Sequence, residues 1–121
     1  METICRLAEI KNIVGIKEAT GLLDVSSEIA TSCDLTILSG DDSLTLPIMA
    51  VGGKGVISVA ANIVPTEVRK LTSDMLAGNI TKATAQHQKL FKLFKALFIE
   101  TNPIPVKTAL ALMGKCQEEF R

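Results

Sequence analysis

The sequence predicts an α/β fold in which parallel strands alternate with helices. Three observations predict it: short apolar runs recur near positions 13, 35 and 56, a segment with helical spacing follows each run, and turn residues separate the segments. Such alternation implies parallel strands joined by right-handed crossovers. The rest of the chain has helical patterns only, so we expect a helical region after the sheet.

The first predicted unit begins with a short helix over residues 3–10, where apolar residues follow helical spacing. Residues 13–16 form an unalternating apolar run, which is typical of a strand covered on both faces of a parallel sheet. Gly21 ends this segment, and Asp24 or Ser26 is suited to cap the next helix.

The second unit repeats this order. Residues 35–38 are the second predicted strand, and SGDD at 39–42 is a polar turn. A helix over residues 43–51 follows, and we expect Gly52 and Gly53 to close it.

The third unit starts with a strand predicted at residues 56–59. Pro65 is suited to the first turn of a helix that Gly78 stops. Two further helices are predicted, over residues 81–99 and 103–113.

A sheet of three parallel strands has two open edges, which folded proteins usually avoid. A barrel of parallel strands typically takes about 250 residues, and this chain has 121. We therefore expect the chain to be a fragment of such a barrel.

Composition limits the classes of function. The 13 basic and 13 acidic residues balance, so no electrostatic surface for nucleic acid or an anionic membrane is indicated, and small molecules or proteins are the expected partners. Three distant cysteines, Cys5, Cys33 and Cys116, favour neither a zinc site nor a disulfide framework. With no export signal and no membrane-length apolar run, the prediction is a cytoplasmic protein.

Lys17 lies at the carboxyl end of the first strand, where ligands bind in parallel α/β folds. An amine held among apolar residues loses hydration of its charged form, which makes it available as a nucleophile toward carbonyl carbon. The alternative is an ordinary ion pair with Glu18 or a carboxylate from a nearby loop.

Two other motifs allow a ligand-binding interpretation. Asp41 and Asp42 could bind a metal, but adjacent carboxylates also commonly begin a helix by opposing its dipole, and this second interpretation is favoured. GGKG at 52–55 precedes a strand and lacks the spacing of a phosphate loop, so it predicts a tight turn at the opposite end of the sheet.

The segment 89–98 places three lysines on one helical face and three apolar residues on another. A membrane-surface peptide has this pattern, but so does a helix that packs on a protein core, which we favour. His87, the only histidine, is expected to be solvated.

Four motifs resemble, in order and spacing, the C-terminal part of the dihydrodipicolinate synthase (4-hydroxy-tetrahydrodipicolinate synthase) family: GIKEATG, LSGDD, GGKGVISVAAN and NPIPVK. The wider group, which includes N-acetylneuraminate lyase and other pyruvate aldolases, shares a (β/α)8 TIM barrel. The last three motifs look more like the synthase than like those relatives.

This resemblance implies that Lys17 forms a Schiff base with pyruvate, whose enamine adds to aspartate 4-semialdehyde in lysine biosynthesis. Ile57 matches the position whose backbone contacts pyruvate, and Gly40 matches a glycine that lines the pocket. The family needs no cofactor, and its full-length members are implied to be homo-oligomers, typically tetramers.

The resemblance also divides the chain. Residues 1–78 would supply strands six to eight of the barrel, and residues 79–121 would be a C-terminal helical region. The family's proton-relay tyrosine, threonine pair, carboxylate-binding arginine and lysine-feedback site belong to the earlier part of the barrel, and this sequence has no tyrosine. Because general acid–base catalysis is commonly worth about 10²- to 10⁴-fold, we expect the fragment alone to be inactive or nearly so.

The competing hypothesis is a non-catalytic half-barrel that oligomerises through its open edges. Leu22 and Leu23, in the loop after the first strand, would add to a subunit contact, or pack under that loop.

Overall fold

A computed structural model describes residues 1–120; Arg121 lies outside the described residues. The strands are β1 (Gly15–Glu18), β2 (Thr36–Ser39) and β3 (Gly55–Val56). The helices are α1 (Glu2–Ala8), α2 (Leu23–Ser32), α3 (Thr45–Ala50), α4 (Pro65–Leu76), α5 (Ile80–Ala96) and α6 (Ile104–Leu112). Two 3₁₀ turns lie at Asp42–Leu44 and Ala60–Asn62.

The sheet has the order β1-β2-β3, and both pairings are parallel. Lys17 is opposite Leu38, and Leu38 is opposite Gly55, so these three residues form one row across the sheet. The predicted α/β fold with three parallel strands is confirmed.

The strand boundaries differ from the predicted ones. Val14 was expected in the first strand, but it lies just before β1 and is 72% exposed, although its carbonyl still accepts a 3.0 Å hydrogen bond from the amide of Thr36. β3 ends at Val56, three residues earlier than predicted, because the chain then turns into the 3₁₀ turn Ala60–Asn62.

Helices cover one face of the sheet within residues 1–120. Ile37 of β2 packs with Ile29 of α2 and Ile48 of α3 in a fully buried core. We call this side the covered face. On the other side, which we call the open face, Thr36 and Lys17 are exposed, so the prediction that the first strand is covered on both faces is wrong for the described residues.

A second core joins the later helices. It comprises Ala60, Val68, Leu71, Leu90, Phe94, Leu97 and Val106. The apolar stripe of α5 therefore packs against α4 and α6, which confirms packing over the membrane-surface interpretation, while its three lysines lie on the outside. Within residues 1–120, no helix combines the length and apolar character needed to cross a membrane.

Helix starts and stops were predicted with mixed success. Pro65 begins α4 as expected, and Gly78 and Gly114 adopt positive φ just beyond α4 and α6. Asp24 and Ser26 do not cap α2, which begins at Leu23 without a side-chain cap. Ser26 lies one turn inside the helix, and its hydroxyl donates a hydrogen bond to the buried carboxylate of Glu18 on β1.

Two smaller predictions had opposite outcomes. Residues 52–54 of the GGKG segment form the turn between α3 and β3, as expected, with Gly52 at φ +119°, and Gly55 begins β3. His87 is half-buried and not fully solvated: its ring lies 5.7 Å from that of Phe91 and 6.1 Å from that of Phe94, and burial lowers its pKa. The expectation was wrong because α5 turns the polar segment that contains His87 toward α4, where Gln86 donates a hydrogen bond to Glu67.

The three cysteines are free thiols. The thiol of Cys5 in α1 lies 3.9 Å from the carbonyl oxygen of Ser32, so α1 contacts the end of α2. Burial, together with the nearby Cys5, raises the pKa of the Cys33 thiol.

Candidate active site

Lys17 is the third residue of β1 and lies on the open face. Its side chain is exposed in this chain, so the expectation that residues of this chain bury the amine is wrong. The cause is strand alternation: successive side chains point to opposite faces, and the core of Ile29, Ile37 and Ile48 lies on the face opposite Lys17.

The alternative interpretation of Lys17, an ion pair with Glu18, is also wrong. Glu18 points to the covered face and is 3% exposed. Its carboxylate accepts hydrogen bonds from the amide of Thr20 at 2.7 Å and the hydroxyl of Ser26 at 3.4 Å. Among residues 1–120 the one ion pair joins Lys89 to Glu67, so the Lys17 amine has no carboxylate partner there.

Gly40 lies directly against the Lys17 side chain. A Cβ atom at this position would be 2.9 Å from Cε of Lys17 and 2.5 Å from Cβ of Ala19, which is too close for any other residue without movement. The amide of Gly40 also donates a 2.6 Å hydrogen bond to the carbonyl of Glu18. The structure therefore gives Gly40 a packing contact with Lys17, whereas its expected place in the lining of the pocket stays a prediction.

Asp42 holds together the ends of two neighbouring strands. It follows β2 and is 2% exposed. Its carboxylate accepts hydrogen bonds from the hydroxyl of Ser58 and from the amides of Val59 and Ala60, the latter two at 3.1 and 3.0 Å. We call this set the Asp42 brace.

Asp41 and Asp42 begin the 3₁₀ turn that leads into α3, as the favoured interpretation expected, although Asp41 makes no side-chain cap hydrogen bond there. The carboxylate of Asp42 is bonded instead to the amides that begin the 3₁₀ turn after β3. Residues 1–120 contain no group of three or more His, Cys, Asp or Glu side chains placed to hold a metal ion.

A cavity of about 330 Å³ opens beside Lys17. Its lining includes Ile57, Asn62, Asn102 and Lys107 in addition to Lys17. The structure thus brings Lys17 and Ile57 together, as the sequence predicted. The amide of Ile57 already donates to the carbonyl of Ser39 at 2.8 Å, so its own carbonyl oxygen is the backbone group left for a ligand.

Sequence reasoning missed the polar residues on the far side of this cavity. Asn102 and Lys107 lie in the NPIPVK motif, which was used to recognise the family but was given no place in the site. One signal was available: Lys107 is the only charged residue of α6, a helix that is otherwise almost entirely apolar.

The predicted contact pair lies where the loop after β1 meets α2, since Leu22 precedes the helix and Leu23 is its first residue. Leu22 is 61% exposed and Leu23 is 37% exposed, so neither is packed under that loop. Whether they meet another subunit stays a prediction.

Comparisons with known proteins give a consistent result. The model of the dihydrodipicolinate synthetase family matches residues 1–121. A 4-hydroxy-tetrahydrodipicolinate synthase from Geotalea uraniireducens is 57% identical over 122 residues, which cover 99% of this chain and 42% of that protein. The crystal structure of dihydrodipicolinate synthase from Aquifex aeolicus matches with a TM-score of 0.97 at 53% identity, with coverage of 99% and 42%.

A third match contains a ligand. The chloride-inhibited dihydrodipicolinate synthase from Acinetobacter baumannii, crystallised with pyruvate, has a TM-score of 0.93 at 39% identity, and again 99% of this chain and 42% of that chain are covered. The chain thus spans about two fifths of the length of the relatives it matches. The expected placement of the chain in the C-terminal part of the barrel is not supported by these comparisons.

Proposed function

Because the chain belongs to the dihydrodipicolinate synthetase family, we propose that it carries the Schiff-base lysine of a pyruvate-dependent lyase. The reaction is the condensation of pyruvate with aspartate 4-semialdehyde, the 4-hydroxy-tetrahydrodipicolinate synthase reaction of lysine biosynthesis. The names of the relatives support the activity, and the pyruvate in the Acinetobacter baumannii structure supports the first substrate.

One observation carries the assignment of Lys17. Lys17 is an amine without a carboxylate partner among residues 1–120, and it lines the same cavity as Ile57. The neutral amine would attack the ketone carbon of pyruvate, and loss of water would give an imine. Loss of a methyl proton from that imine gives an enamine, whose carbon bonds to the aldehyde carbon of the second substrate while the aldehyde oxygen takes up a proton.

Gly40 supports this chemistry by leaving room for the lysine. Because Gly40 has a hydrogen in place of a side chain, Cε of Lys17 can approach the backbone of the loop after β2. Ile57 would contact pyruvate through its carbonyl oxygen, since its amide is already bonded within the chain.

Trapping with borohydride tests the role of Lys17. Incubating the protein with pyruvate and borohydride should add one reduced pyruvate adduct, and peptide mass mapping should place it on Lys17. Lys17→Arg should abolish the adduct, because a guanidinium stays protonated and cannot form the imine. An adduct that persists in Lys17→Arg, or that maps to another lysine, contradicts the assignment.

We also propose that β1 to β3 are strands six to eight of a (β/α)8 barrel, with residues 79–121 as its C-terminal helical region. Two further helices follow α4 without another strand in residues 1–120, which supports the end of a barrel. A chimera in which this chain replaces the last two fifths of a full-length relative should then fold and be active. Activity in the reverse chimera, with the first two fifths replaced, contradicts this placement.

The same chimera tests whether this chain is sufficient for turnover. We propose that it is not, since it has no tyrosine to relay protons. The chain alone should form the adduct slowly and give little product, whereas the active chimera should restore turnover by about 10²-fold or more.

Assembly and location complete the proposal. We place the protein in the cytoplasm as a homo-oligomer in which the exposed Leu22 and Leu23 contact a neighbouring subunit. Light scattering on the wild type and on Leu22→Asp, in the full-length context, tests this, since a charge in an apolar contact should lower the measured mass.

A further inference from the structure

The backbone of Ile57 lies in a segment that the sheet does not hold. β3 ends at Val56, and the next buried residue along the chain is Ala60, at 0% exposure. Ile57 itself is 48% exposed, so the packing of its side chain contributes little to the position of its backbone. Residues 57 and 58, which line the cavity beside Lys17, therefore depend on hydrogen bonds to other parts of the chain.

The loop after β2 makes these hydrogen bonds on both sides of the Ile57 carbonyl. On the amino-terminal side, the amide of Ile57 donates to the carbonyl of Ser39 at 2.8 Å. On the carboxyl-terminal side, the Asp42 brace begins at the next residue, Ser58, and includes the amides of the two residues that follow. Asp42 is 2% exposed, and hydrogen bonds to a carboxylate away from water are among the strong ones in proteins. One loop thus anchors the Ile57 carbonyl from both directions.

The same loop is tied to β1. The amide of Gly40 donates to the carbonyl of Glu18, the last residue of β1, at 2.6 Å. Within the loop, the hydroxyl of Ser39 donates to the carbonyl of Asp41 at 2.7 Å, and the amide of Asp41 donates to the oxygen of that hydroxyl at 3.2 Å. These two hydrogen bonds close a tight turn. Residues 39–42 therefore connect the end of the first strand to the backbone after the third.

We propose that Asp42 is a positioning residue for the keto acid, because its carboxylate fixes the place of the Ile57 carbonyl relative to the Lys17 amine. The inference rests on the proposed Schiff-base function, in which that carbonyl contacts pyruvate. Asp42 touches no substrate atom and acts only through the backbone after β3. Its loss leaves the lysine able to form the imine but displaces a group that binds the substrate, and a misplacement of about 1 Å in a site can cost about 10²-fold.

The test separates the position of the backbone from the charge of the carboxylate. Asp42→Ala removes the acceptor of all three donors of the brace. Asp42→Asn keeps the shape of the side chain: its oxygen can accept from both amides, which bond to the single atom Oδ2 in the wild type, and its NH₂ group can donate to the hydroxyl of Ser58.

The measurement is the pyruvate concentration that gives half-maximal borohydride trapping on Lys17. It is determined by mass spectrometry in the 121-residue chain and in each variant, at a temperature where circular dichroism shows that all of them are folded. Two controls accompany it. Asp41→Ala removes the neighbouring carboxylate, which makes no side-chain cap hydrogen bond. Ile29→Ala lowers stability from the core on the covered face, away from the cavity.

Asp42→Ala should raise the half-saturating pyruvate concentration about threefold to tenfold, which corresponds to the loss of one neutral hydrogen bond. Asp42→Asn should restore most of the wild-type value, and both controls should match the wild type. If Asp42→Ala is unfolded, Ser58→Ala replaces it. This variant removes one donor and leaves both amides bonded, so the concentration should rise by a smaller factor that still exceeds the controls.

The outcomes separate the two proposals. If folded Asp42→Ala keeps the wild-type value, or if Ile29→Ala shows an equal rise, the positioning role is contradicted and the role of Lys17 stands. A value for Asp42→Asn as high as that for Asp42→Ala also contradicts it, since charge and not position would then matter. If the wild type forms no adduct on Lys17, the Schiff-base function itself fails, and the role of Asp42 fails with it.

Discussion

The covered and open faces of the sheet use the same strands in opposite ways. On the covered face, polar groups are bonded within the chain: Glu18 accepts from Thr20 and Ser26, and the hydroxyl of Ser39 donates to the carbonyl of Asp41 at 2.7 Å. On the open face, the neighbouring residue Lys17 has no acidic partner among residues 1–120. In the proposed function, adjacent residues of one strand thus serve stability and ligand chemistry separately.

The largest difference between the two faces is expected for a pair of substitutions in β2. Ile37 is 2% exposed on the covered face, so Ile37→Ala should lower the free energy of unfolding by about 2–5 kcal/mol, through lost burial and a residual cavity. Leu38 is half-buried on the open face, and Leu38→Ala should lower it by only about 1 kcal/mol. Urea unfolding followed by circular dichroism measures both; equal losses would mean that the two faces are equally packed.

The adjacent aspartates sharpen the comparison at the strand ends. Asp42→Ala leaves the amides of Val59 and Ala60 without their acceptor, and should destabilise the protein by about 2–4 kcal/mol. Asp41→Ala removes no side-chain cap hydrogen bond and should stay within about 0.5 kcal/mol of the wild type. The same unfolding experiment applies, and a comparable loss in both variants would contradict the brace.

Gly40 contacts both Ala19 and Lys17, so its substitution should affect both the stability of the protein and the position of the lysine. Gly40→Ala places a Cβ 2.5 Å from that of Ala19 and 2.9 Å from Cε of Lys17, and such overpacking typically costs about 1–3 kcal/mol. The displaced lysine should also form the pyruvate adduct more slowly. Gly55→Ala is the control, since its Cβ meets only the flexible end of Leu38 at 3.4 Å. Normal trapping by a folded Gly40→Ala variant would show that this contact does not position Lys17.

The smallest expected effect comes from His87, far from the sheet. Burial lowers its pKa below the ordinary 6.5, so the unfolded chain takes up the proton first as the pH falls. The stability due to neutral His87 is therefore fully present above about pH 6.5 and is lost as the pH falls toward the lowered pKa. The stability of His87→Gln should lack this pH-dependent contribution. The unfolding free energy of the wild type should therefore fall relative to that of the variant between about pH 7.5 and pH 5.5. A constant difference would contradict the assignment, and no other histidine is present to obscure it.

The features that sequence predicted well depend on local rules. Pro65 and Gly78 delimit α4 because proline favours a first turn and glycine adopts the positive φ that ends a helix. The parallel sheet followed from alternation of strand and helix patterns. The juxtaposition of Lys17 and Ile57 followed from a resemblance in motifs that are 40 residues apart.

The features that sequence missed depend on contacts between distant segments. The partners of Asp42 lie 16 to 18 residues further along the chain, so its own neighbourhood suggested only the following helix. His87 stands in a polar stretch, and only the packing of α5 shows that its ring is partly buried among phenylalanines. The exposure of Lys17 was missed because an apolar run does not tell which face of a strand a neighbouring helix covers.

The Asp42 brace has a practical consequence for redesign of this enzyme family. Because one carboxylate after β2 fixes the backbone just beyond Ile57, the two loops form a single mechanical unit. If the loop after β3 is replaced by that of a relative with a different specificity, the loop after β2 has to be replaced with it. A new loop after β3 that is introduced alone would lose its hydrogen bonds to Asp42, and its backbone would no longer be held in place.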